Sequence, residues 1–571
     1  MALKPSFPIY PIETIRDLVL QASERYGDQL AILTKRQGAF QGPTYRELRE
    51  AVERLAVFLD GQGIEKGERV AVLSENRVEW AIAYLGAVAA GRVIVPIDRD
   101  LTEREIIHIL RFAGVKLLFT SEDFLKSLQE EFPRMESLQT VVSMEGEKFC
   151  AQQTFAECLD AGRKEIAAGS RAFSETAVEA DDLAAIIFTS GTTGSAKGVM
   201  LTHGNIASNV IGTSHHVAIN RGDVLLSVLP LHHTYECTAG FLTALYQGAT
   251  IYHAENLRRI AENMLEIRAT VLLGVPALFE AIYKRISAGI EEKGRRKFQI
   301  ALGVASLSEK VLRFSPRRRL FGALHKRFGG RLRLMISGGA AINPEVSKGF
   351  RRLGIQFIQG YGMTEHSPII SVNRVDSFKD DSVGHVLPNA EVKIVDDEIT
   401  VRGPGVMKGY FLNEAATRET LSDGWLCTGD LGRFDRDGFL YISGRRKSVI
   451  VTPNGKNVYP EEIEALLNRS PFVLESLVWG GPEEDPSETE VQAIIVPDPA
   501  GFDQHFGPAE YDTERMNEVI SKTVRECNKS LASFKRIKKF TLRGEEFEKT
   551  TTRKVKRYLY TGRTRPLNAG R

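Results

Sequence analysis

The stretch "LAAIIFTSGTTGSAKGVMLTH", residues 183–203, passes from an apolar run through a glycine- and hydroxyl-rich loop into a second β-like run. It reads as strand, loop, strand, so no helix N-terminus is on offer to a bound anion. The usual nucleotide-binding loop, G-x-x-x-x-G-K-[ST], is not met, because Lys197 is followed by Gly198 rather than by Ser or Thr. A loop of this kind would hold phosphate oxygens with its own backbone N–H groups, turned inward at Gly191 and Gly194. The hydroxyls of Thr189, Ser190, Thr192 and Thr193 and the charge of Lys197 would add to them. Each hydrogen bond to a charged oxygen is worth about 1.5–3 kcal/mol, so several together order a polyphosphate. A Gly/Ser/Thr loop also suits a plain hairpin turn. The run of hydroxyls with a lysine between two apolar strands favours the phosphate reading.

Outward from this loop, from Tyr45 to about Tyr361, short Val/Ile/Leu runs alternate with helical patterns, as in "RVAVLS", "RVEWAIAYLGAVAAG" and "RVIVPI". This predicts an α/β fold with a largely parallel sheet and helices on both faces. From about residue 384 to 441 the texture changes to close-set strands with turn residues, "AEVKIVDDEITVRGPG" and "RFDRDGFLYISG", which predicts a β-rich module. After "GRRK", residues 444–447, a smaller alternating pattern begins. The expected organisation is a large N-terminal domain, 1–444, of layered α/β sheets closed by the β-rich module, and a small α+β C-terminal domain, 445–571.

A chain of 571 residues exceeds what one core usually serves, in keeping with two domains. Lys and Arg (75) nearly cancel Asp and Glu (73), which argues against a dedicated nucleic-acid binder. The five cysteines are scattered without a C-x-x-C pair, so neither a disulfide framework nor a zinc site is suggested. The N-terminal "MALKPSFPIYPIETIRDL" lacks the charged-then-apolar pattern of a secretory leader, and the most apolar stretch, from Trp80, is broken by Gly91, Arg92 and Pro96. A cytoplasmic location is expected.

Further motifs follow in order: "LPLHHTYE" at Leu229, "SGGAAI" at Ser337, "YGMTE" at Tyr361, "TGD" at Thr428, "GRRK" at Gly444, "NGKNVYPEEIE" at Asn454 and "TTTRKVKR" at Thr550. With this set the sequence resembles the adenylate-forming superfamily of acyl-CoA synthetases, luciferases and peptide-synthetase adenylation domains. The resemblance runs from "TYREL" at Thr44 to Arg557. Long-chain fatty acid–CoA ligases look closest, because their C-terminal lysine motif has the form T-x-T-x-K-x-K-R. The resemblance implies an AMP-forming acid–thiol ligase using ATP, Mg²⁺ and coenzyme A. It also implies that the C-terminal domain is mobile.

The chemistry accounts for the residue types. A carboxylate would have to expel oxide to acylate a thiol, so it is first made into a mixed anhydride with AMP. That step brings two anions together and places the burden on cations and oriented donors rather than on an enzyme nucleophile. By resemblance, Lys554 bridges the carboxylate and the α-phosphate, Thr364 bonds the α-phosphate and Glu365 holds the metal. Tyr361 and Gly362 border the adenine, with Gly338, Gly339 and Ala340 as its floor. Asp430 accepts the ribose hydroxyls, supported by Arg445. His233 stands between acyl-adenylate and thiol, Lys447 is the hinge, and Gly455 lies on the face presented to coenzyme A. One departure is Arg553, where most of the superfamily has glycine before the lysine; Lys549 and Lys556 flank the same position. A chain that kept the fold only as a nucleotide sensor should lack Glu365, Asp430 or Lys554, and all three are present.

The acyl site is expected between "LPLHHTYECTAGF", "LLGVPALFEAI" and "SGGAAI", with Gly240, Gly274, Ala277 and Ala340 leaving room for a fatty chain. Glu236 is the one nearby acid that could read an amino-acid ammonium. Residues 310–333 are strongly basic, with Leu320, Phe321, Leu324 and Phe328 at helical spacing. A solvated basic face on a core helix, an anionic membrane surface and an acidic acyl carrier protein each suit that pattern. The last of these makes an acyl carrier protein ligase the runner-up activity.

Overall fold

The computed structural model describes residues 4–189, 197–312, 315–453, 456–481, 489–508, 511–549 and 555–561. The alternating pattern folds as two sheets rather than one. The first, of eight strands, has at its centre Arg69–Leu73, Val93–Pro96, Leu117–Thr120 and Leu183–Thr189. The second, of nine, has at its centre Val224–Ser227, Val271–Gly274, Leu334–Ser337 and Gln356–Gly362. The central pairings are parallel in both, and antiparallel pairs appear toward the edges.

The helix Val78–Ala89, "VEWAIAYLGAVA", shows why there are two sheets. It is apolar around its whole circumference and buried at every residue but Glu79, as a helix must be when both of its faces meet protein. It touches strands of both sheets, and Trp80 stacks on Tyr84 at 5.4 Å with Phe241 edge-on to both rings.

The β-rich module is a five-stranded sheet that includes Glu391–Val395, Glu398–Arg402, Trp425–Phe434 and Leu440–Arg445. Beyond it a separate core forms around Ile450, Ile463, Val478, Ile495 and Phe502, built on the strands Val473–Gly481, Glu490–Pro497 and Lys539–Leu542 with the helices Pro460–Leu467 and Thr513–Lys529. An ion pair between Lys284 and Asp498 joins this unit to the first domain.

The basic stretch departs from its expected amphipathic helix. Pro316 and the glycines at 322, 329 and 330 break it into Arg317–Leu320 and Gly322–Arg327, Phe328 is buried, and Leu324 packs inward. No helix among the described residues is long and apolar enough to cross a membrane.

The helices Tyr45–Gly61 and Phe155–Ala167 meet at Gly162, where a β-carbon would lie 1.9 Å from the Arg54 carbonyl oxygen. A side chain there forces the helices apart, a class of change that costs about 1–3 kcal/mol. Gly162→Val should lower the thermal midpoint of the first domain by several degrees in scanning calorimetry. An unchanged midpoint would contradict backbone contact at this crossing.

Candidate active site

The motifs converge on one cleft of about 3440 Å³ between the two units. At one end, Asp430 lies on Trp425–Phe434 directly across from Arg445 on Leu440–Arg445. Arg445 Nε is 3.1 Å from Asp430 Oδ1, and the Tyr361 hydroxyl donates to Oδ2 at 2.8 Å. Burial and the Asp430 charge push the Tyr361 phenol well above its ordinary value, so it stays a donor. The turn at "TGD" is tied down: Thr428 donates to the Ile399 carbonyl at 2.7 Å and accepts from the Asp430 N–H at 3.1 Å, while Glu398 accepts from the Gly429 N–H at 2.8 Å. A carboxylate has about four acceptor positions, so Asp430 keeps capacity for two further hydroxyls.

The floor beside it is made by absence of side chains. A β-carbon at Gly338 would strike the Tyr235 ring at 2.7 Å, and one at Gly362 would lie 2.0 Å from the Pro368 carbonyl oxygen. Gly339 has φ +84°, in the left-handed region. Ala340 follows it and also lines the cleft.

Elsewhere along the cleft, Thr189 and Lys197 face each other where the strands Leu183–Thr189 and Lys197–Thr202 stop pairing. The outer edge of the second strand takes Gly409–Tyr410 in antiparallel register. This puts Tyr410 between two site residues: its hydroxyl donates to Glu365 Oε1 at 2.8 Å, and Lys197 Nζ lies 4.8 Å from its ring centre. Thr364 Oγ1 is 3.1 Å from Thr234 Oγ1. Ser190, Gly191, Thr192, Thr193 and Gly194 lie outside the described residues. Tyr410 and Thr234 escape a reading of the sequence, because "KGYF" carries no signal until its strand pairing is known.

On the acyl side, His233 lines the cleft with its ring 4.2 Å from that of His232. His232 Nε2 lies 3.2 Å from Asp98 Oδ1, a close approach beside His233 that the sequence did not disclose. Ala277 and Ala340 line the cleft as expected, but Gly240 and Gly274 do not make room for a chain. The position of a β-carbon at Gly240 is 2.6 Å from the Glu236 carboxyl, and that at Gly274 is 2.9 Å from Leu278. Neighbouring side chains already fill both spaces. Glu236 is fully buried, and burial pushes its carboxyl up to about 8 against a smaller effect of the Ser227 hydroxyl.

Lys447 sits exposed in the short turn Arg446–Ser448 at the start of the second unit and borders the cleft. Gly444 before it packs on Tyr459 and Glu461. Lys554 and Gly455 lie outside the described residues. Of the two lysines that flank Lys554, Lys549 is held by Glu475 at 2.8 Å and Glu546 at 2.7 Å, and Lys556 is 3.8 Å from Glu548.

Comparison with known proteins agrees with this geometry. Residues 19–411 match the AMP-binding enzyme family and residues 447–562 the AMP-binding enzyme C-terminal domain. The chain is 30% identical to a long-chain-fatty-acid–CoA ligase of Mycobacterium bovis, over 91% of this chain and 90% of that protein. It is 26% identical to a chloroplastic long-chain-fatty-acid–[acyl-carrier-protein] ligase of Arabidopsis thaliana, over 93% and 80%. Among solved structures it resembles ATP-bound MatB from Rhodopseudomonas palustris, with a TM-score of 0.74 and 27% identity over 95% of this chain and 98% of that one. With a family model covering most of its first domain and a second covering its C-terminal unit, this chain belongs to the AMP-binding enzyme family.

Proposed function

We propose that this chain is an ATP-dependent, AMP-forming ligase that joins long-chain fatty acids to coenzyme A. The observation that carries the reading is the convergence, in one cleft, of a ribose-accepting Asp430 braced by Tyr361 and Arg445 with a phosphate end built from Thr189, Lys197, Thr364 and Glu365. In the first half-reaction a carboxylate oxygen of the acid bonds to the α-phosphorus of ATP as the bond to the β-phosphate breaks and pyrophosphate leaves. In the second, the thiol sulfur bonds to the anhydride carbonyl carbon, AMP leaves with the bonding pair, and the thiol proton goes to solvent or base.

The residues divide this work by position. Asp430, Tyr361 and the Gly338–Ala340 floor bind and orient the nucleoside, which fixes the α-phosphate relative to the acid. Lys197 and Thr364 lower the charge on the phosphate oxygens. Glu365, oriented by Tyr410, offers a hard oxygen that would hold a magnesium ion; the ion would supply further neutralisation of phosphate charge. Lys554 neutralises the approaching carboxylate. His233, beside His232 and Asp98, borders the path by which a thiol reaches the carbonyl.

Two facts support a long hydrocarbon substrate. The cleft is lined by Val217, Ile219, Ala239 and Leu273, which are apolar. Both curated relatives described above are named for long-chain fatty acids. Palmitate with coenzyme A should therefore support AMP release at a higher kcat/KM than acetate or any amino acid. Faster turnover with acetate or an amino acid would overturn the substrate class, and thioester formation only with an acyl carrier protein would overturn the acceptor.

A lysine that acts only while the anhydride forms should be dispensable afterwards. Lys554→Ala should slow adenylation by on the order of 10²-fold or more and still convert supplied acyl-adenylate to thioester. Measured half-reactions that fall equally would show that Lys554 does not have this role.

A further inference from the structure

The strand Val93–Pro96 of the eight-stranded sheet and the strand Val224–Ser227 of the nine-stranded sheet both run out into the cleft. The turns that leave them bring three side chains together: Asp98 from the first, His232 and His233 from the second. Both turns are tied down. Asn76 accepts from the Leu231 N–H at 2.9 Å and donates to the Leu229 carbonyl at 2.7 Å, so the two histidines start from a clamped backbone. Asp98 Oδ1 accepts from the Asp100 N–H at 2.9 Å, which orients the carboxylate.

The three side chains offer two imidazole nitrogens and one carboxylate oxygen, all within 4.8 Å of one another, and they form the one such group of three among the described residues. His232 Nε2 lies 3.2 Å from Asp98 Oδ1 yet has no hydrogen-bond partner, although the His232 side chain is only 6% exposed. A ring nitrogen's lone pair lies along the line that its N–H bond would take, so this nitrogen is not aimed at the carboxylate. A buried polar atom left unsatisfied costs about 1–3 kcal/mol, and a cation bonded to both atoms removes that cost. The spacing suits one: two ligands bonded at about 2.0–2.2 Å to a tetrahedral ion stand about 3.3–3.6 Å apart. His233 is partly exposed at the cleft, its ring 4.2 Å from that of His232, and is placed to close on the same ion.

Ligand type selects the ion. Imidazoles with a carboxylate suit a borderline divalent cation, and zinc, whose d electrons impose no geometry, tolerates an irregular set. Magnesium takes oxygen ligands in a near-ideal octahedron and is a poor match, so this group differs in kind from the hard oxygen of Glu365. No cysteine takes part, and C-x-x-C spacing therefore gives no sign of it.

We propose that Asp98, His232 and His233 bind Zn²⁺, and that the bound ion, by holding the His233 imidazole, closes the thiol's route to the acyl-adenylate. Three protein ligands leave the fourth position of the ion to water. The block rests on the ligase reading above, whereas the binding of the ion does not.

Equilibrium dialysis of the full chain against zinc tests the site, with magnesium in excess. The protein should retain about one zinc ion per molecule, and cobalt(II) in its place should give the strong visible absorption of a four-coordinate ion. Asp98→Asn and His232→Gln should each weaken zinc binding at least about tenfold, the lower end of what loss of even an outer-shell partner costs. Cys150→Ser, which removes the exposed thiol, should not. Two ligand variants are used so that a folding defect in one leaves the other to decide. For the block, transfer from supplied acyl-adenylate to coenzyme A is followed at a free zinc concentration fixed by a metal buffer. Zinc should slow the wild type at least about tenfold, a barrier change near 1.4 kcal/mol, chelation should restore the rate, and Asp98→Asn should respond far less. Each protein serves as its own zinc-free reference, so capture of coenzyme A by zinc affects both alike. No bound zinc, binding undiminished in the ligand variants, or binding lost in Cys150→Ser overturns the site. Zinc that binds here and leaves transfer unchanged overturns the block. A chain that forms no thioester even without zinc contradicts the ligase reading instead, and the dialysis still decides the site.

Discussion

The antiparallel pairing of Leu183–Thr189 with Lys197–Thr202 is the contact on which the rest of the cleft depends. It holds the two ends of the hydroxyl-rich loop side by side. Its outer edge also recruits Gly409–Tyr410 from more than two hundred residues away. Through Tyr410 the same pairing reaches Glu365, which follows closely on Tyr361 at the end of the strand Gln356–Gly362 of the other sheet, and so leads to Asp430 and Arg445. The residues proposed for phosphate and for nucleoside are thereby joined across the two sheets by the Tyr410–Glu365 contact and the short step from Tyr361 to Glu365. For a reaction in which two anions must meet, a rigid spacing of donors and cations is what reduces reorganisation in the transition state.

In the proposed mechanism Lys554 is needed against the phosphates in one half-reaction and stands in the way of the thiol in the other. The second unit has a core of its own around Ile463 and Ile495. Contacts across the boundary include the ion pair of Lys284 with Asp498, and the Arg446–Ser448 turn that bears Lys447 is exposed. Polar contacts of this sort can be exchanged for water at small net cost, unlike an apolar interface.

Much of this was legible in the sequence because the chemistry is local. A strand, a hydroxyl loop and a second strand occupy twenty-one consecutive residues, "TGD" brings its own turn, and "YGMTE" places its aromatic and its acid four residues apart. What could not be read depends on partners distant in sequence. Whether the alternating strands form one sheet or two is a matter of pairing order, which no local pattern encodes. Tyr410 and Asp98 are ordinary residues until strands bring them to Glu365 and His232. Gly240 and Gly274 looked like space for an acyl chain, yet glycine makes space only where no neighbour takes it, and Glu236 and Leu278 do. Residues 310–333 looked like one amphipathic helix, but proline and glycine break it and Phe328 and Leu324 turn inward.

The central claim is that this cleft forms an acyl-adenylate before any thiol takes part. Isotope exchange between pyrophosphate and ATP measures that step alone. The account predicts exchange that requires a long-chain carboxylic acid and proceeds without coenzyme A. Exchange that occurs without any acid, or that appears only when the thiol is added, would contradict it.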